Sequence, residues 1–350
     1  AVAGAAVVLD AKTGEVLALA NLPTYDPNER GALSGAQLRN RVMTDTFEPG
    51  STFKPFAISA ALEAGIVKPS SMVNCSGKLT IGSASIGDAH GHGTLSVEEV
   101  LQKSSNVGTA KIALQLPPQR MWELYNSLGF GQAPEVGFPG AVAGRVRPWK
   151  TWKPIEQATM SYGHGVSVSL LQLARAYTVF ARDGEIIPLT FLKSEQPAVG
   201  QRVMSAETAR AVRHMLELAA GPGGTAPKAQ IPGFSVAGKT GTAHKLDGGR
   251  YVTRYVSSFV GFAPASNPRV IIAVMIDEPS AGEHYGGTVA APIFARIASD
   301  TMRTLRVTPD IPLRAETDSG AKSGSGSGPV PGMPPTSKTA RAPARSRGNA

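Results

Sequence analysis

Three features of this 350-residue chain predict an α+β fold. It opens with two apolar runs around a tight turn, its middle reads as helical, and its last third carries three strand-like runs and a closing helix. A sheet completed by both ends of the chain and flanked by helices is the simplest architecture that buries all of these.

The elements follow in order. Gly4 to Asp10 and Glu15 to Ala20 are apolar runs around Lys12-Thr13-Gly14, which reads as a β-hairpin. Residues 21 to 43 are irregular. Pro49-Gly50 leads into a helix from Ser51 to Gly65, with Pro55 tolerable only near its first turn and Gly65 as its stop. Helical runs follow at Ser96 to Ser104, Thr109 to Leu116, Ser169 to Arg182 and Ala206 to Ala219. In the third of these, Leu170, Leu173, Ala174 and Tyr177 keep helical spacing. Phe234 to Ala237, Tyr251 to Ala263 and Val270 to Glu278 read as strands, and Thr288 to Leu305 as the last helix. Residues 1–310 then form one domain. Residues 311–350 read as a disordered tail, because their Gly-, Ser-, Pro- and Arg-rich text carries no aromatic residue to bury. The chain begins inside a strand, with no signal peptide and no initiator Met, as a fragment would.

Composition excludes several classes. With 42% hydrophobic and 17% charged residues the chain has material for a large core, and no apolar run is long enough to span a membrane. One cysteine, Cys75, rules out a disulfide framework or a Cys-rich zinc module. The net charge of +9 invites a nucleic-acid reading, but +4 of it lies between Arg314 and Ala350. The body has no basic cluster with interleaved aromatics, so no nucleic-acid partner is expected.

Three short motifs carry the chemistry, and each alone has a plain structural reading. Ser51 and Lys54 share one helix face, with Ser51 at the helix N-terminus, where free N–H groups favour negative charge. A lysine can deprotonate that serine only if burial or another cation pulls its pKa down from about 10.4. The plain reading is an N-cap serine with a solvated lysine. Ser104-Ser105-Asn106 ends a helical run, where it is either a simple C-cap or a hydroxyl relay with an amide that holds a substrate. Lys239-Thr240-Gly241-Thr242 continues a strand between small residues, leaving an open edge for an extended peptide and a cation with two hydroxyls for a carboxylate. Lys12-Thr13-Gly14 spells the same triad at a hairpin tip, where glycine supplies the turn and the lysine is solvated.

The order of the motifs makes them specific. Ser-x-x-Lys, then Ser-x-Asn, then Lys-Thr-Gly is the set found in penicillin-binding proteins and class A β-lactamases. Residues 1 to 305 resemble that family. Ser-Thr-Phe-Lys-Pro, Lys-Ser-Ser-Asn-Val-Gly and Gly-Lys-Thr-Gly-Thr-Ala look like class B penicillin-binding proteins, as do Ser161-Tyr162-Gly163-His164-Gly165 and His284-Tyr285-Gly286-Gly287. Asn106 resembles the division-specific members, where elongation-type relatives more often have aspartate.

The resemblance implies an antiparallel sheet of about five strands with a helical subdomain, and a membrane-anchored D,D-transpeptidase that cross-links peptidoglycan stem peptides at the septum. By position, Ser51 is the nucleophile, Lys54 its base, Ser104 the proton relay, and Asn106 and Lys239 complete the catalytic set. Thr240, Gly241, Thr242, Ser105 and Tyr162 would bind substrate, and the N–H groups of Ser51 and Thr242 would form the oxyanion hole. It implies no cofactor. Its partners would be donor and acceptor stem peptides, β-lactams, a septal glycosyltransferase and other division proteins. The setting would be the periplasmic side of the inner membrane, through an N-terminal anchor not present in these residues.

Competing readings are weaker. His90 and His92 lack a third metal ligand at suitable spacing, so no metal site is expected. His164 and His244 line the cleft, Cys75 is a passive thiol, and Trp122, Trp149 and Trp152 pack. A β-lactamase would need a deacylating base, and Glu156 lies in the right interval without the surrounding text. The same three motifs would also serve an elongation-type transpeptidase, or a penicillin-sensing scaffold that acylates without turnover. The duplicated triad provides a test: Lys12→Ala leaves the rate of β-lactam acylation nearly unchanged, whereas Lys239→Ala slows it by about two orders of magnitude. Equal effects in stopped-flow acylation would refute the distinction.

Overall fold

The computed structural model describes residues 1–29, 31 and 33–312, so the expected tail from 313 on lies outside the described residues. Five strands form the main sheet: β1 (Ala3–Asp10), β2 (Val16–Leu22), β3 (Ala237–Asp247), β4 (Arg250–Ala263) and β5 (Val270–Asp277). Their order is β2-β1-β5-β4-β3 and every pairing is antiparallel. The first strand therefore sits beside the last, with Val7 opposite Ala273, as the apolar runs at both chain ends require.

The principal helices are α1 (Lys54–Glu63), α2 (Val97–Gln102), α3 (Asn106–Ala113), α4 (Pro118–Ser127), α5 (Pro154–Met160), α6 (Leu170–Ala176), α7 (Ala206–Ala220) and α8 (Ala291–Thr304). They cover both faces of the sheet. Successive side chains on a strand point to opposite faces, and β1 uses both: Val7 and Leu9 join the large helical core, while Val8 joins a second core under α8. That is why β1, β4 and β5 read as apolar runs rather than alternating patterns. On the α8 side Phe294 packs edge-on against Phe259, their ring centres 4.7 Å apart. On the other side α1 is the central helix, buried all round, and Phe53, Phe56, Tyr125, Phe130, Tyr177 and Phe180 form one aromatic cluster about its N-terminal half.

The first hairpin turns at Lys12-Thr13-Gly14 as expected. The Asp10 carboxylate accepts from the Lys12 and Thr13 N–H groups at 2.8 and 3.1 Å, and Gly14 has φ of +76°.

Elsewhere the structure corrects element boundaries. The strand expected over Phe234 to Ala237 begins at Ala237 and runs on to Asp247, so Lys239-Thr240-Gly241-Thr242 lies inside an edge strand rather than after one. The glycines that weaken its strand signal are there because Phe259 crowds position 238 and the Pro49 carbonyl and Ser258 hydroxyl crowd position 241. The helix expected from Thr109 begins three residues earlier, at Asn106, capped by the Ser105 hydroxyl. Helices α4 and α5 were not expected; each starts with proline in its first turn, where a missing N–H costs nothing. Among the described residues, no helix is long and apolar enough to cross a membrane.

Candidate active site

Ser51 lies in a single 3-10 turn, Gly50–Phe53, that runs directly into α1, and Lys54 is the first residue of that helix. Three contacts hold the turn. The buried Tyr177 hydroxyl donates to the Thr52 carbonyl at 2.8 Å, the Thr52 hydroxyl donates to the Pro49 carbonyl at 2.8 Å, and the Gly50 N–H donates to the Gly163 carbonyl at 3.2 Å. Gly163 adopts φ of +84°, and a side chain there would stand 2.2 Å from the Gly50 carbonyl oxygen. The Ser161–Gly165 segment is thus pressed against the turn that carries Ser51.

All three motifs meet at one hydroxyl. The Lys54 ammonium reaches the Ser104 Oγ at 3.0 Å and its carbonyl oxygen at 2.5 Å, while the Lys239 ammonium reaches the same Oγ at 2.9 Å and the Thr240 hydroxyl at 3.4 Å. Both lysines are 0% exposed. Burial holds the Lys54 pKa well below its ordinary value, and the Lys239 cation lowers it further against a smaller opposing pull from Asp88. Burial also brings Lys239 down to about 7.

Ser104 occupies an unusual backbone position. The Ser104 N–H donates to the Leu101 carbonyl and the Ser105 N–H to the Val100 carbonyl, which closes α2 with a Schellman motif. Its left-handed residue is normally glycine; here it is Ser104, at φ of +61°. A side chain in that conformation costs about 1–2 kcal/mol. The plain C-cap reading and the chemical one therefore hold for the same residue.

Asp88 fixes the start of α3. Its carboxylate accepts from the Ser105 hydroxyl at 2.6 Å, the Asn106 N–H at 2.5 Å and the Val107 N–H at 3.0 Å, at the N-terminus of that helix. The Asn106 side-chain amide donates to the Gly87 carbonyl at 3.1 Å. This corrects the expectation for Ser105. Its hydroxyl is fully buried, donating to Asp88 and accepting from the Gly108 N–H at 2.9 Å, so it caps a helix and faces no substrate. Tyr162 is 8% exposed and packs among Ile86, Val107, Ala110 and Ala158, a wall beneath α3.

On β3, Thr240 pairs with the Thr225 hydroxyl at 2.9 Å, and the Thr242 hydroxyl accepts from the Gly286 N–H at 3.0 Å, which leaves its own proton free. The Thr242 carbonyl lies against Gly50, one residue from Ser51.

Of the residues around the site, Glu48 and Tyr251 carried no sequence signal. Glu48, three residues before Ser51, accepts from the Gly165 N–H at 2.8 Å and from the Tyr251 hydroxyl at 3.0 Å. His164 stands beside it, and burial takes its pKa down to about 4. His244 is exposed, its ring 4.6 Å from Tyr255, which stacks on His284 at 4.0 Å. Cys75 is buried, bonded to the Val73 carbonyl. Glu156 is committed to Arg147 at 2.7 Å and to the N-terminus of its own helix, α5.

Comparison with known proteins finds relatives over most of the chain. A model of the penicillin binding protein transpeptidase domain matches residues 4–299. The chain is 50% identical over 312 residues to a probable peptidoglycan D,D-transpeptidase, PenA, of Neisseria flavescens, covering 89% of this chain and 78% of that protein. It is 42% identical over 308 residues to the peptidoglycan D,D-transpeptidase FtsI of Escherichia coli K12, covering 88% of this chain but 52% of that protein. The chain thus spans about half the length of FtsI and, at 54%, of Neisseria gonorrhoeae PenA. Among solved structures it resembles the apo transpeptidase domain of Burkholderia pseudomallei penicillin-binding protein 3, with 52% identity, a TM-score of 0.81, and coverage of 89% of this chain and 90% of that one.

The backbone at Ser104 separates stability from chemistry. Ser104→Ala and Ser104→Gly both remove the hydroxyl, and each slows β-lactam acylation by about 100-fold or more. The glycine variant is the more stable of the two by about 1 kcal/mol, because only it relaxes the left-handed strain. Urea denaturation of the pair measures the difference, and an alanine variant as stable as glycine contradicts it.

Proposed function

Since the chain belongs to the penicillin-binding protein transpeptidase family, we propose that it is the acyl-transfer module of a peptidoglycan D,D-transpeptidase, working through a Ser51 acyl-enzyme. The observation that carries the reading is the convergence of two dehydrated lysines on the Ser104 hydroxyl, beside the helical turn that presents Ser51. The donor stem peptide lies extended along the open edge of β3, as a strand added to the sheet. Its terminal carboxylate meets Thr240, Thr242 and the Lys239 charge, with Gly241 keeping the strand close to the Ser51 turn. Neutral Lys54 takes the Ser51 proton as Oγ attacks the penultimate carbonyl carbon. The developing oxyanion is met by the N–H groups of Ser51 and Thr242. The C–N bond then breaks, and the proton passes from Lys54 through Ser104 to the departing D-alanine amine. Asn106, oriented by Gly87 and Asp88, holds the substrate amide. An amine acceptor resolves the ester.

The septal role rests on Asn106 and on the likeness to FtsI; a septal glycosyltransferase and division proteins are the partners proposed with it. The periplasmic side of the inner membrane is the proposed location. A β-lactamase role is disfavoured because Glu156, the carboxylate expected to activate water, is tied to Arg147 and a helix end.

Intact-mass spectrometry tests the nucleophile. Exposure to a β-lactam adds one drug mass, and Ser51→Ala abolishes the addition; labelling that persists in the alanine variant overturns the assignment. A second test addresses the base. Burial depresses Lys54, so its neutral form gains as pH rises, and the acylation rate climbs through an apparent pKa far below that of free lysine. That value belongs to the coupled Lys54–Lys239 pair. Lys54→Arg keeps the charge but cannot lose it, so the variant is folded by circular dichroism and inactive. Near wild-type acylation by folded Lys54→Arg would show that another group takes the proton.

A further inference from the structure

The carboxylate of Glu48 has no stable counter-ion. Its side chain is 13% exposed, and His164 at 3.5 Å is the basic group paired with it among the described residues. Burial leaves that imidazole neutral. The two donors that do reach Glu48 are neutral as well: the Gly165 N–H at 2.8 Å and the Tyr251 hydroxyl at 3.0 and 3.1 Å. A carboxylate can accept about four hydrogen bonds, so acceptor capacity remains. Charges taken out of water are normally paired, and here burial raises the Glu48 pKa instead.

The surroundings suit a small cation. The His164 ring neighbours Tyr162 at 5.3 Å and Tyr251 at 5.9 Å, so the carboxylate, the neutral imidazole and two phenol rings lie side by side. Aromatic faces attract ammonium groups, a neutral imidazole has one nitrogen that accepts a hydrogen bond, and the carboxylate supplies the charge. The place is next to the nucleophile, since Gly163, beside His164, bonds to Gly50, beside Ser51.

We infer that Glu48, His164, Tyr162 and Tyr251 form a receptor for the primary ammonium of the acceptor, holding it next to the acyl-enzyme before it attacks. This rests on the transpeptidase reading above and adds to it where the second substrate waits. The ammonium docks as a cation and loses one proton to solvent. The free amine then attacks the Ser51 ester: a C–N bond forms, the C–O bond to Ser51 breaks, and one of the two protons left on the nitrogen passes through Ser104 to Ser51 Oγ while the other stays on the new amide. Glu48 and His164 position the amine and exchange no electrons.

The test uses a thioester donor with two acceptors at pH 7: D-alaninamide, largely a cation, and hydroxylamine, uncharged. In Glu48→Gln the KM for D-alaninamide rises at least tenfold, while the β-lactam acylation rate and the KM for hydroxylamine stay within about threefold of wild type. His164→Leu shifts the same ratio in the same direction, which keeps the test usable if the glutamine variant does not fold. An unchanged KM for D-alaninamide, or equal losses with both acceptors, overturns the receptor. Wild-type protein that takes no acyl group from either the β-lactam or the thioester overturns the transpeptidase reading instead.

Discussion

Two ammonium groups removed from water and aimed at one hydroxyl are the constraint on which the rest of this structure depends. Lys54 and Lys239 repel each other and, among the described residues, no carboxylate lies within bonding distance of either, so burial favours the state in which one has given up its proton. Each lysine comes from an element too well packed to retreat. Lys54 opens the central helix α1, and Lys239 lies on β3, paired to β4 through Val260. The sheet, the aromatic cluster and the Schellman turn together hold three charged or polar atoms where isolated peptides would separate them.

The two edges of the sheet are treated differently. On β2 the pattern is half exposed and the register slips near Val8, as on many edge strands that need only be soluble. On β3 the residues from Ala237 to Gly241 are buried although, among the described residues, no strand pairs beyond it. An edge so smooth and so poor in side chains is ordinarily a liability. Here it is backed by the Ser51 turn, and the donor peptide proposed above would cover it.

Much of this was legible in the sequence because the signals were local. Apolar runs at both ends foretold a sheet shared between them, and the order of the three motifs singled out Lys54, Ser104 and Lys239, whose side chains the fold brings together. What stayed hidden lies in contacts between segments without a shared period. Asp88 sits in turn-rich text, and nothing there announces that it organises Ser105 and Asn106. Glu48 looks like part of a loop leading to Ser51 until Tyr251 and His164 arrive from elsewhere. The start of β3 is hard to read because glycine lowers strand propensity, whereas the neighbouring Phe259 ring and Pro49 carbonyl demand it. The motif assigns Ser105 to substrate by its position, but a buried hydroxyl between two neighbouring residues is a cap.

The pairing of β1 with β5 has a consequence for how the protein is made. Within this domain the β1–β2 hairpin is synthesised well before β5, the strand that covers its inner edge. Until then Val7 and Leu9, and the unpaired backbone edge of β1, have no cover, and contacts that distant along a chain form slowly. The nascent domain therefore passes through a long interval in which β1 presents an unpaired edge. Substitutions that prolong the interval reduce how many molecules reach the native state, while those that do reach it work normally. Yield and specific activity are then separable traits of the same fold.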